Sequence, residues 1–548
     1  MSANRFLAAI GGAFLLAAPA PTQTTPAPAL AAERATPKLL VVISVDQLSA
    51  DLFAEYRQHF TGGLKRLSEG VVFPSGYQSH AATETCPGHS TILTGARPAR
   101  TGIIANNWFN LSLTREDKQV YCSEDPRIAG SSSSAYTVSD YHLKVPALGD
   151  YMKRAVPGTQ VAAVAGKDRA AIMMGGRQAD HRYWWSGKAF AGSGGAAALA
   201  ATNQAVETAL ARPRPPLELP AICQARSRPV QVEGGPVVGT GRFAREAGDT
   251  RAFRASPELD GATLAFAGAL RSELKLGEGR ATDLLIIGAA ATDYVGHSYG
   301  TGGSEMCLQM MSLDRDLGDF FALLDRTGID YLVAMTADHG GLDIPERQNR
   351  NGAMRAARVD PALIATNMGK AIGAELRLSG RVLFGDGAFG DMYVDRALSP
   401  PQRARVLAEA LRRYRTHPQV AAAFSAAELS RAPSPSGTPD SWTLLDRARA
   451  SFDPERSGDL VVLLKPRITP ISETGRGYVA THGSPWDYDR RVPIAFWRRG
   501  LAPFEQPLPA ETVDIMPSLA GLIGLALPAG AVDGRCLDVI EGAATNCR

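Results

Sequence analysis

The chain has 548 residues, enough for a large buried core, with 45% hydrophobic and 21% charged residues. Its formal net charge of only +3 gives no reason to expect a nucleic-acid-binding surface or a membrane-surface role. Fifty-five glycines and 36 prolines point instead to many turns and long connections.

The N-terminus reads as a secretory signal over residues 1–31. Arg5 supplies the positive charge, Phe6 to Ala18 the apolar run, and Ala29-Leu30-Ala31 a small-residue cleavage site, with Ala18-Pro19-Ala20 as an alternative. The apolar run is shorter than the ~20 residues that a spanning helix needs, so no membrane span is expected in the mature chain. A periplasmic or secreted protein follows. Its six cysteines suit an oxidising compartment, and Cys536 with Cys547 is expected to close a short C-terminal loop. The spacing leaves the pairing of Cys86, Cys122, Cys223 and Cys307 open.

Taken in chain order, Leu39–Val45, Val161–Ala165, Leu284–Ala290, Tyr331–Met335 and Leu460–Leu464 are short apolar runs flanked by turn residues. With helical patterns between them, they predict an α/β fold: a mostly parallel central sheet with helices on both faces. A helix over Val513–Ile523 is expected to lie directly on that sheet. Two stretches, about 187–257 and about 345–455, break the rhythm and are read as inserted caps on a single catalytic domain spanning 37–548.

Polar residues gather where these strands stop. Asp46 ends the first, Lys167-Asp168-Arg169 follows the second, Asp293 and His297 follow the third, and Asp338-His339 end the fourth. In open α/β sheets, ligands bind beyond the carboxyl ends of the strands. Any one of these residues alone would pass for a helix cap or an ion pair. Together with His482 in a glycine turn they form a mixed Asp/His set that suits zinc, and six ligands suit two ions. Thr85 lies at a predicted helix start in Thr83-Glu84-Thr85-Cys86-Pro87-Gly88-His89, where free backbone N–H groups favour an anion. Alone it reads as an N-cap; beside metal ligands it becomes a candidate nucleophile.

Five motifs in order resemble the alkaline phosphatase superfamily, most closely its PafA-type monomeric bacterial members, whose nucleophile motif is shared with nucleotide pyrophosphatase/phosphodiesterases. They are Ser44-Val45-Asp46-Gln47, Thr85-Cys86-Pro87-Gly88-His89-Ser90-Thr91, Ala291-Thr292-Asp293-Tyr294-Val295-Gly296-His297, Thr336-Ala337-Asp338-His339-Gly340 and Thr481-His482-Gly483. The resemblance implies two Zn2+ ions per chain. One would sit on Asp293, His297 and His482, the other on Asp46, Asp338 and His339 with Thr85 Oγ joining. A structural Ca2+ stays open. It further implies a monomer that hydrolyses small phosphate esters through a covalent phosphothreonine at Thr85. Lys167 and Arg169 fit the Gly-Lys-x-Arg element of the monoesterases, and Asn106 falls where that group places a phosphate-binding asparagine, with Asn107 its neighbour. The alternative on the same scaffold is a phosphodiesterase or nucleotide pyrophosphatase. A sulfatase is disfavoured because no arginine follows Cys86-Pro87 at the required spacing. A non-catalytic, metal-stabilised surface protein is the remaining alternative. The aromatic run Tyr183-Trp184-Trp185 is read either as core packing or as a wall beside the leaving group.

Overall fold

The structure is a computed structural model that describes residues 36–474, 477–540 and 545–547; the expected signal segment 1–31 lies outside them. Leu39–Val45 forms a strand because its branched, apolar run can be buried on both faces. Leu39, Val41, Ile43 and Val45 point into one core, against Leu64 and Leu67 of helix Gly63–Ser68 and the long helices Pro257–Leu274 and Ser304–Arg326. Leu40 and Val42 point into a second core, with Leu148, Ala170, Met516 and Leu519. Each fully buried aliphatic side chain here contributes about 1.5–3 kcal/mol.

The neighbours of this strand fix the topology. The sheet runs Phe504–Glu505, Val71–Tyr77, Arg491–Arg498, Tyr331–Thr336, Leu39–Val45, Asp283–Ala289, Val161–Ala165, His181–Trp185, Phe190–Ser193. Its centre is parallel: Leu39 faces Asp283 on one side and Tyr331 on the other, and the register holds to the strand ends. Arg491–Arg498 runs antiparallel to both of its neighbours, so the sheet is mixed but mostly parallel. The α/β expectation holds. Helix Ile515–Leu522, preceded by a 3-10 turn over Thr512–Asp514, lies on the second face as expected, with Pro517 in its first turn.

One expected strand belongs elsewhere. Leu460–Leu464 is not in the central sheet; it sits in a four-stranded antiparallel sheet ordered Leu383–Gly385, Gly390–Val394, Leu460–Leu464, Val420–Ser425. Its even-numbered side chains join one core and Val461 and Leu463 another. A run buried on both faces reads the same in a parallel or an antiparallel sheet, which is why the sequence pattern misplaced it. The 345–455 stretch supplies the other three strands of this sheet together with helices Ala365–Leu376 and Pro400–Thr416. The 187–257 stretch contributes strand Phe190–Ser193 at the edge of the central sheet and helix Ala197–Leu210. Tyr183 and Trp185 are packing residues: both are buried, Tyr183 against Phe266 and Trp185 against Phe190 and Phe253. Among the described residues no helix is long and apolar enough to cross a membrane.

Candidate active site

The four expected strands are neighbours in the sheet, and the residues at their carboxyl ends come together there. Thr85 opens helix Thr85–Ile92, with Glu84 extended before it. The first-turn N–H of Cys86 donates to Asn106 Oδ1 at 2.8 Å, and Asn106 N–H donates to Glu84 Oε2 at 2.8 Å. Asn107 instead donates to Asp386. Asn106 is therefore the asparagine bound to the Thr85 helix, and its remaining donor is Nδ2. Gly88 lets this helix approach the Asp338 backbone, since a Cβ there would stand 2.0 Å from Asp338 O.

Around Thr85 the charges are close. Lys167 Nζ and Arg169 Nη2 each lie 3.4 Å from Thr85 Oγ1. Lys167 Nζ also lies 2.7 Å from Asp46 Oδ2 and 2.5 Å from Asp293 Oδ2, bridging the carboxylates of two strand ends. Burial alone would lower the lysine's pKa, but Asp293 and Asp46 more than reverse this and hold it charged. Arg169 is set by residues that the sequence pattern did not single out. Its Nη1 lies 3.4 Å from Tyr121 Oη, and Tyr121 and Tyr136 donate to the two oxygens of Asp168 at 2.7 and 3.0 Å.

The histidines are prepared as ligands. His297, His339 and His482 direct Nδ1 to the carbonyls of Ala480, Gly340 and Thr83, each at 2.8 Å. With Nδ1 carrying the proton, each Nε2 keeps its lone pair. Burial holds His339 down at about 3 and also lowers His482, so both rings are neutral near pH 7. Asp338 Oδ1 accepts from the N–H groups of Gln47 and His339, while Oδ2 faces His89 Nδ1 at 3.1 Å and His339 Nε2 at 3.3 Å. Burial pushes Asp338 upward, but the histidines and Lys167 pull it below the ordinary carboxylate range. Asp46 goes the other way, raised by burial and by Asp338.

These side chains fit metal ions. Asp46 Oδ1, Asp293 Oδ1 and His339 Nε2 are buried lone-pair atoms without a hydrogen-bond donor, an arrangement that is costly unless a cation meets it. The ligand atoms of Asp46, Asp338 and His339 lie within 4.8 Å of one another, as do those of Asp293, His339 and His482. His339 is thus common to both groups, and its ring stacks on His482 with centroids 3.6 Å apart. His297 stands beside the second group, its Nε2 3.3 Å from Asp293 Oδ1. Of the ligands expected from sequence, Asp46, Asp338 and His339 form one close group and Asp293 and His482 share the other with His339, while His297 stands at its margin.

A family model for type I phosphodiesterase / nucleotide pyrophosphatase matches residues 40–485. The chain belongs to this family. Within the family it is 57% identical to alkaline phosphatase PhoK of a Sphingomonas species, over 93% of this chain and 92% of the relative. It is 48% identical to alkaline phosphatase PhoD of Zymomonas mobilis, over 93% and 89% respectively. The crystal structure of alkaline phosphatase PafA superposes with a TM-score of 0.80 at 24% identity, covering 92% of this chain and 99% of that one. The fold is that of the alkaline phosphatase superfamily, of the PafA type.

Three disulfides frame this family member's site and its tail. Cys536–Cys547 closes the C-terminal loop as expected. Cys223–Cys307 ties the 187–257 stretch to the long helix Ser304–Arg326. Cys86–Cys122 joins the residue after Thr85 to the residue after Tyr121, so the Thr85 helix and the Arg169 support are covalently linked. Two further residues escaped the sequence reading of roles. His89 links Thr85 O, 2.9 Å away, to Asp338. Gln78 donates to the carbonyls of Gly88 and Ala337 while accepting from Thr91 and Thr512. His89 stood inside a quoted motif, which was the available signal; Gln78 had none.

Proposed function

We propose that this protein is an exported, zinc-dependent alkaline phosphatase that hydrolyses phosphate monoesters through a covalent phosphothreonine at Thr85. The observation that carries this reading is the pair of cations, Lys167 and Arg169, each 3.4 Å from Thr85 Oγ1. A monoester dianion presents more charged oxygen than a diester, and this pair meets that extra charge. The names of the relatives, alkaline phosphatases at 57% and 48% identity, point the same way.

In this reading Thr85 Oγ attacks phosphorus in line. The bond to the leaving oxygen breaks, and the alcohol departs with a proton. Water then attacks the phosphothreonine from the vacated side, releasing phosphate and returning the threonine hydroxyl. Arg169 holds two phosphoryl oxygens in its planar fork, with its plane fixed through Tyr121. Lys167 contributes a third contact, and Asn106 offers Nδ2 to a remaining oxygen. Asp46, Asp338 and His339 would hold one Zn2+, and Asp293, His297 and His482 the other. These ions, when bound, supply Lewis-acid charge at the attacking and leaving oxygens. The stretches at 187–257 and 345–455 are covers on one catalytic domain. The three disulfides support export to an oxidising compartment.

The test is a rate comparison on purified, zinc-loaded protein. Turnover of 4-nitrophenyl phosphate is expected to exceed that of bis(4-nitrophenyl) phosphate by orders of magnitude, and acid-quenched enzyme is expected to carry phosphate on Thr85. Faster diester turnover would make it a phosphodiesterase. Phosphate found only on another residue would remove Thr85 as nucleophile.

A further inference from the structure

On the His297 side of the site lies a cavity of about 340 Å3 lined by Gly187, Thr250, Arg251, Arg254 and Tyr478. Among the described residues no carboxylate lines it. The nearby Asp249 spends one side-chain oxygen on the backbone N–H groups of Arg251 and Ala252. Two contacts tie the cavity to the reacting centre. The Tyr478 ring packs on His297 with centroids 4.6 Å apart. The Arg254 guanidinium lies 4.9 Å from the centre of the Tyr294 ring, and Lys167 Nζ lies 5.1 Å from the same ring centre. Arg254 and Lys167 are therefore separated by no more than the sum of those two distances, the span of a short organic bisphosphate. Tyr294 follows Asp293 directly, so the ring that both cations approach is next in sequence to a residue of the group that faces the departing oxygen in the reading above.

We propose that this cavity is a second phosphate site, which receives a phosphate carried by the leaving group and makes organic bisphosphates favoured substrates. The inference rests on the monoesterase reading. A phosphate placed there meets the Arg254 fork, the Arg251 charge and the Thr250 hydroxyl, while the scissile phosphate lies at Thr85. The second contact holds the substrate in one orientation and lowers KM without touching the reacting atoms.

The experiment compares kcat/KM for fructose 1,6-bisphosphate and fructose 1-phosphate on zinc-loaded enzyme. The wild type is expected to favour the bisphosphate about tenfold, mostly through KM, and the ratio is expected to fall as salt rises. Arg254→Gln should bring the ratio close to that set by the second ester group alone, Arg254→Lys should restore part of it, and Arg251→Gln should lower it independently. A wild-type preference no larger than that set by the extra ester group would overturn the proposal. So would a preference that survives both glutamine variants. Turnover of 4-nitrophenyl phosphate separates the two failures: if it proceeds and the preference is absent, only the second site is lost, whereas its absence removes the monoesterase reading and this inference with it.

Discussion

Lys167 is asked to do two things: it joins Asp46 to Asp293, and it stands beside Thr85 Oγ1. Removing it deprives a monoester of a cation that a diester needs less. Lys167→Ala is expected to cut kcat/KM for 4-nitrophenyl phosphate by about 10²–10³-fold, and for the diester by much less, as parallel kinetics on both esters would reveal. Equal losses would mean that the lysine serves only to organise the carboxylates. Asp168 acts at one remove, holding Tyr121 and Tyr136. Asp168→Asn is expected to raise KM for the monoester about tenfold with a smaller change in kcat. A fall in kcat alone would contradict the account of Arg169 positioning. At this scale the sequence was informative wherever a residue ended a strand: Asp46, Asp293, Asp338 and His339 declared themselves by place. Tyr121 and Tyr136 did not, because their partner Asp168 is distant in sequence and an isolated tyrosine carries no pattern. The ion-pair role of Lys167 was equally silent, since it depends on two carboxylates that meet only in the folded sheet.

Helices and strands are held by residues far along the chain. Helix Gly63–Ser68 begins at Gly62, which has no side chain to cap it. Asp314, on the helix Ser304–Arg326, supplies the cap, accepting from the N–H groups of Thr61, Gly62, Leu64 and Lys65 at 2.7–3.1 Å. Asp314→Ala leaves buried donors unmatched, and urea unfolding should report a loss of about 2–4 kcal/mol. A loss below about 0.5 kcal/mol would mean that water replaces the cap. The parallel strands were legible because a continuous apolar run has few other fates. Val71–Tyr77 and Arg491–Arg498 were not. They carry Pro74 and Pro493, which signal a break, and they pair with a register shift between Val492 and Ile494, where Pro493 needs no ladder partner. Leu460–Leu464 was legible as a strand but not as to its sheet, because direction and partners are not written in periodicity.

The whole molecule stores negative charge at its centre. Asp46, Asp293 and Asp338 are almost fully buried, and Lys167, paired with Asp46 and Asp293, offsets only part of their charge. Cations bound there should therefore stabilise the native chain against an unfolded one that lacks the site. Chelation is expected to lower Tm by about 5–10 °C, and added Zn2+ to restore it, in a calorimetric scan that needs no substrate. An unchanged Tm would argue against metal at these residues. The Cys86–Cys122 bond acts on a different axis. It encloses the segment with Asn106 and reaches the neighbour of Tyr121, so oxidation limits the distance between Thr85 and the support of Arg169. A chain not yet oxidised lacks that limit, and its competence then depends on packing alone. Formation of this one bond would thus mark the moment at which the Thr85 end of the site and the support of Arg169 become a single covalent unit.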